Sequence, residues 1–481
     1  MGDATDTALA GRRRAGLHRL FGTVRIAYLP VLITYFCYGA TGVVSIALLF
    51  FQKETLGITP ADAAAIAFWV ALPWSTKMVA GVASDVYPIF GSHRRAYLLL
   101  GAAASLAGYG LLATVVQTRG AYLASMVLVA VGFMVQDVVA DALSVEVAGS
   151  EEEIGQVQAL GRMALLAGSI SVGYLSGVLT AAIGPRRVFA LAMVLPLLVA
   201  GAALLVRPSA RRSASADDPL GPGKARLVLV VGLGYALLGV ALESLRAPLS
   251  QEIILVVSGA LIVVLLQQVG ISRAVAVAAF AIFLFRAVPA VGQGYSYWAI
   301  DRLGFDQQFL GILAQVSSVL SLAGLVLFRS AITRRPVSDT LFWVTVAGSV
   351  LALPSIGLFY GVNEWLGLSP RAFAVIDTTI SAPLAQLSMV PMLALIARTA
   401  PAGAEATMFA IMASLMNLAL SASELFTRYL NTAFGVSQRD YANLGHLMIT
   451  VAVLALCPLL ALPLLRREEA VLAPSDAAAR R

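Results

Sequence analysis

The stretch Asp137-Val138-Val139-Ala140-Asp141 places two carboxyl groups four positions apart within an otherwise apolar run. On a helix that spacing overshoots a full turn by only about 40°, so both acids share a face. An acid near the centre of a bilayer costs about 2.5–3.5 kcal/mol on insertion scales and rarely faces lipid. Clustered acids with little water disfavour a second negative charge, a property that proton carriage needs. Arg162 lies about two turns into the next apolar segment, at a depth similar to Asp137 if the two segments run antiparallel. The three residues fit either proton coupling or a static Asp137–Arg162 pair that pins two helices.

A second set of charges lies in the other half of the chain. Arg286 sits near 20 Å from one face of its segment and Asp377 near 9 Å from the opposite face, at 1.5 Å per residue. In a hydrocarbon core about 30 Å thick those depths coincide, so the two are expected to pair when no solute is bound. An entering carboxylate or phosphate would then take the planar fork of Arg286; the alternative is a permanent structural pair. Gln293 and Gln386 are further polar candidates for a binding site. Tyr35 and Tyr38, with Thr34 and Thr41, offer a cavity wall on which a ring can stack. Tyr295, Tyr297 and Trp298 serve equally well as interfacial anchors. Glu424 and Arg428 read as a structural i,i+4 pair near a helix end.

His18, His93 and His446 are scattered, and Cys37 and Cys457 fall in apolar segments, so neither a metal site nor a disulfide framework is indicated. There is no GxxxxGK[ST] phosphate loop, which argues against ATP-driven chemistry. No cofactor is expected, and the chain does not read as an enzyme.

The elements that position these residues are transmembrane helices. A hydrophobic content of 59%, a charged content of 12% and a mean hydropathy of +0.86 define an all-α polytopic membrane protein. The net charge of +7 does not point to nucleic acid, because the basic residues flank apolar segments and set orientation. A basic tail over 1–28 precedes a six-helix bundle over 29–206, a polar linker over 207–226 and an apolar hairpin over 227–270. A second six-helix bundle over 271–466 and a tail over 467–481 follow, giving about 14 spans. No cleaved signal peptide is apparent in the first residues. Lys and Arg concentrate in the loops on the side of the two tails, Arg186-Arg187 being a local exception, so both termini are expected in the cytoplasm. A faint internal repeat, Leu56-Gly57-Ile58 and Leu303-Gly304-Phe305, follows the first helix of each half. Two six-helix halves in parallel repeat mark the major facilitator superfamily, in which solute binds between the halves.

Longer stretches resemble one family in particular. Phe51-Gln52-Lys53-Glu54-Thr55-Leu56-Gly57-Ile58-Thr59-Pro60, Ser84-Asp85-Val86-Tyr87-Pro88 with Arg94-Arg95-Ala96-Tyr97, and Asp137 to Glu146 are similar to segments of the folate-biopterin transporters, the BT1 group of that superfamily. So are Phe283-Leu284-Phe285-Arg286-Ala287-Val288-Pro289 and Ala400-Pro401-Ala402-Gly403-Ala404-Glu405-Ala406-Thr407. The resemblance implies a major facilitator fold and alternating access. It implies a secondary transporter, proton-coupled or facilitative, for a folate, a pterin or another organic anion. It also implies that Asp85, Arg94 and Arg95 form a gate on the cytoplasmic side. Arg286 stands where this family usually has Gln. The run around Asp137 and Asp141 also resembles muropeptide and acetyl-coenzyme A transporters, and a non-transporting scaffold or receptor is the reading from a different class. The expected partners are a small-molecule solute, protons and the bilayer, with no nucleic acid. The expected state is a monomer in the plasma membrane, the inner membrane in a bacterium.

Overall fold

In a computed structural model, residues 25–207, 222–270, 272–333, 335–385, 387–400 and 405–472 are described. Most of the expected linker, Gln386 and most of both tails lie outside them. In hydrocarbon every backbone polar group must be satisfied within the segment, and among the described residues the spanning elements are all helical. Side chains supply the orphan N–H groups at several starts. Thr59 accepts from the Asp62 N–H ahead of Pro60, Thr118 from Ala121, Ser150 from Glu153 and Ser369 from Ala372 ahead of Pro370.

The first half comprises α1 (Ile26–Thr55), α2 (Pro60–Val86), α3 (Arg95–Thr114), α4 (Arg119–Glu146), α5 (Glu152–Ile183) and α6 (Pro185–Ala203). The hairpin is α7 (Pro222–Ser244) and α8 (Ser250–Val269). The second half opens with α9 (Arg273–Arg286) and α10 (Gln293–Leu303) and continues with α11 (Gln307–Thr333). It closes with α12 (Val337–Phe359), α13 (Pro370–Thr399), α14 (Glu405–Ala433) and α15 (Leu444–Val471). Thirteen helical stretches among the described residues are long and apolar enough to cross a membrane. The remaining segment, the first of the second half, is two shorter helices, α9 and α10. Pro289 lacks an N–H and Gly292 adopts φ +69, so the chain breaks over 287–292. The repeat motif has a conformational basis, since Gly57 and Gly304 both reverse the chain in the left-handed region, at φ +61 and +64.

Each half packs around its own apolar cores, and two seams join them: α2 against α14 and α5 against α11. On α5 the pair Gly173 and Gly177 meets α11 at Gln315, Gln307 and Gly311, so backbone approaches backbone there as the GxxxG spacing allows. The hairpin lies along the α2–α14 seam. Ile254 of α8 belongs to a core of the first half, whereas Ile262 and Leu266 belong to one of the second.

Candidate functional site

The first-half site is assembled by a bend. Pro73 interrupts α2, which resumes after Thr76, and the first residue beyond the bend is Lys77. Lys77 donates to the Asp137 carboxylate and lies 5.0 Å from the centroid of the Trp74 ring. Trp74 stacks on Tyr38 at 5.2 Å, and Tyr38 on Phe133 at 6.3 Å. The Tyr35 hydroxyl donates to Asp141. Asp137 is buried, whereas Asp141 is exposed within the bundle. One cluster thus joins an aromatic wall, a cation and two acids in different surroundings.

Part of the expected arrangement changes here. Asp137 takes Lys77 as its ion partner, and Arg162 is exposed and forms no ion pair with a described residue. It is close enough that its charge acts on Asp141 and Tyr35. Matching depth fixes height along the bundle, and the bend in α2 brought a nearer cation. Lys77 and Trp74 were missed in the sequence, although a lysine inside the second apolar segment was itself a visible signal.

The expected Arg286–Asp377 pair is absent. Arg286, the last residue of α9, approaches the Met389 sulfur at 3.7 Å, and its buried Nε has no partner among the described residues. Asp377 accepts from the Ser355 hydroxyl at 2.6 Å, close to Tyr295. Equal depth does not fix the direction a side chain takes around its helix axis, and Asp377 turns toward α12. Gln293 is the first residue of α10, just beyond the break, and Gln386 lies outside the described residues. Glu424 and Arg428 do not pair either: Arg428 donates to Gln251 of the hairpin at 2.9 Å, and Glu424 has no hydrogen bond or ion pair with a described residue.

Arg94 is 4% exposed and gathers three elements. It donates to Asp85 at 2.6 Å, to the Ser84 hydroxyl at 2.8 Å and to Glu146 at 2.8 Å. Burial works against its charge, but Asp85 and Glu146 outweigh it and raise the guanidinium above its ordinary pKa. Arg95 stands outside this cluster, its backbone N–H donating to Ser92. In this conformation the cluster ties α2 to α3 and α4 within one half.

At the end remote from the termini the halves are locked together. Lys53 pairs with Asp301 at 2.6 Å, Asp301 also accepts from Tyr441 at 2.6 Å, and Gln438 donates to the Ile58 carbonyl at 2.9 Å. Deeper, the Tyr174 N–H donates to Gln315 at 3.0 Å and Asn417 to the Trp74 carbonyl at 3.0 Å. The polar contacts that join the halves, between described residues, lie at this far end or near mid-depth.

Comparison with known proteins places this geometry. Structures of POT family transporters superpose with TM-scores of 0.70, for one in complex with 5-aminolevulinic acid, and 0.68, for one in complex with sulfate. Each comparison covers 94% of this chain and 98% or 96% of the other, at 13% and 16% identity, which establishes the major facilitator fold. A folate-biopterin transporter of Synechocystis is 30% identical over 90% of this chain and 80% of its own length. Folate transporter 1 of Plasmodium falciparum is 21% identical over 86% of this chain and 74% of its own. A probable folate-biopterin transporter 2 of Arabidopsis thaliana is 22% identical over 86% and 77%. The BT1 family model matches residues 39–479, and the chain, an integral membrane transporter, belongs to the BT1 family.

Proposed function

We propose that the chain is a secondary active transporter that moves an organic anion of folate or pterin type, coupled to protons, by alternating access. Both termini face the cytoplasm, as the distribution of Lys and Arg favours, and the locked far end is then the outer end. The observation that carries the reading is the pairing of chemistries on the two halves. The stacked Tyr38 and Trp74 beside Lys77, Asp137 and Asp141 suit a flat heterocycle and a proton, while the uncommitted Arg286 suits a carboxylate. The names borne by the relatives support the same solute class.

The test is uptake into proteoliposomes of folic acid and of an uncharged pterin, with and without an inward proton gradient, together with ligand-induced thermal stabilisation. Arg286→Gln is expected to weaken binding of the anion by about 2–3 kcal/mol more than binding of the neutral analogue, as for loss of a charge-assisted contact. Arg286→Lys is expected to restore only part, lacking the planar fork. Equal losses for both ligands would remove Arg286 from the site. Gradient-independent uptake would remove the proton.

A further inference from the structure

Glu424, inside the bundle, forms no hydrogen bond or ion pair with a described residue. It lies 19 residues from the start of α14 and nine from its end, about 28 and 14 Å along the helix. An ionisable residue at such a depth is a functional candidate by default. What gives Glu424 a definite role is the pair of contact rows that flank it.

On one side, Ser423, Thr427 and Asn431 hold the break between α9 and α10. Ser423 donates to the Val288 carbonyl at 2.5 Å, the Ala290 N–H donates to Thr427 at 2.9 Å, and Asn431 donates to the Val291 carbonyl at 3.1 Å. On the other side, Asn417 reaches the Trp74 carbonyl of α2 at 3.0 Å, and Arg428 reaches Gln251 of α8 at 2.9 Å. At 100° per residue, Glu424 falls between these rows on the helix surface. It therefore stands where the seam between the halves meets the break between α9 and α10.

The charged groups on the neighbouring elements are engaged elsewhere. On α2, Asp62 bonds Thr59 and Lys77 bonds Asp137. On α8, Glu252 takes the Tyr429 hydroxyl; on α9, Arg273 pairs with Glu468 and Arg286 meets Met389. Arg398 of α13 forms no ion pair with Glu424. Protonated, the carboxyl is a neutral donor; ionised, it needs water or a cation, and no cation among the described residues is within ion-pair reach. Burying an uncompensated charge is costly, so a state of the seam that wets this position would bind a proton at Glu424 less tightly than one that dries it.

We infer that Glu424 is a proton-binding residue that couples the α2–α14 seam to the α9–α10 break. The inference rests on the transport reading above, but not on either first-half acid carrying the proton.

The test follows the far-end distance between spin labels at Gln117→Cys and Trp365→Cys, in a background lacking Cys37 and Cys457, from pH 5 to pH 8. Both positions are exposed, and they lie on different halves. The wild-type background should shift between two distance populations with pH. Glu424→Gln should stay in the low-pH population throughout, and Glu424→Asp should keep the shift with a displaced midpoint. Thermal stability recorded for each variant identifies one that has lost its fold, in which case the Glu424→Asp midpoint decides. A wild-type shift that Glu424→Gln, or a Glu424→Asp variant with an unmoved midpoint, reproduces overturns this inference and leaves the proton reading standing. No pH shift in the wild-type background overturns both.

Discussion

Asp137 and Asp141, one turn apart on α4, have different partners, and the difference gives their substitutions different expected effects. Asp137 is buried against Lys77, so Asp137→Asn strands a cation beside Trp74. We expect a loss of about 1–3 kcal/mol, below the 3–5 kcal/mol of a fully buried pair because Lys77 is partly wet. Adding Lys77→Met should recover part of the loss, a coupling that a double-mutant cycle measures. Asp141 faces Tyr35 in an accessible part of the bundle, so Asp141→Asn should leave the melting temperature nearly unchanged. It should abolish gradient-driven accumulation in proteoliposomes while exchange of solute persists. Full accumulation by Asp141→Asn would assign the proton elsewhere.

Helices transmit these local events only through the surfaces on which they slide. At the α5–α11 seam, a methyl group built on Gly177 would lie 2.8 Å from the Gly311 Cα and 3.0 Å from its nitrogen, and backbone cannot step aside as a side chain can. Gly177→Ala is expected to destabilise the locked far end by about 1–3 kcal/mol, the cost of overpacking. Labels across that end would report the separation, and an unchanged distance distribution would contradict the close approach. At the other end, the anions of Arg94 differ in exposure: the side chain of Asp85 is 53% exposed and that of Glu146 32%. Solvent screens the more exposed partner more strongly. Glu146→Gln should therefore weaken the tie between α2, α3 and α4 more than Asp85→Asn, by up to about 1 kcal/mol for the latter. Hydrogen exchange at the start of α3 distinguishes them, and the reverse order would refute the ranking.

For the molecule as a whole, the proposed alternating access would require the Lys53–Asp301 lock to break, and the pH dependence of the lock itself follows from Asp301. Burial opposes its charge, but the bonds from Lys53 and Tyr441 and the charges of Lys53 and Arg302 outweigh it and hold the carboxyl below its ordinary range. A pKa lowered by closure means that closure gains its full benefit above the unlocked value, about 3.9 for an aspartate. The benefit is lost only as the pH falls through the lowered value. The contribution of Asp301 to the lock should accordingly be constant between pH 6 and 8, and Asp301→Asn should raise opening of the far end over wild type by the same factor at both. Thiol accessibility of the cavity from that side is the measurement. A ratio of Asp301→Asn to wild-type accessibility that changes across that interval would refute this, whereas a pH shift common to both is the one assigned to Glu424.

Composition alone made this chain a helical membrane protein, because 59% hydrophobic residues leave few other folds available. The lengths of the apolar runs placed the spans, and the paired motifs at Leu56-Gly57 and Leu303-Gly304 marked the repeat through a backbone requirement that glycine meets. The acidic pair and Arg286 were legible as charges at a depth where charge is costly. Their partners were not legible, since spacing along one helix fixes depth and says little about which neighbour a side chain faces. The bend after Pro73 turned Lys77 onto Asp137, the orientation of α13 gave Asp377 to Ser355, and Arg428 reached the hairpin rather than Glu424. Sequence set the elements and the cost of each buried charge. Only tertiary packing decided how each charge was compensated, because ion pairs form over a few ångströms between helices distant in the chain.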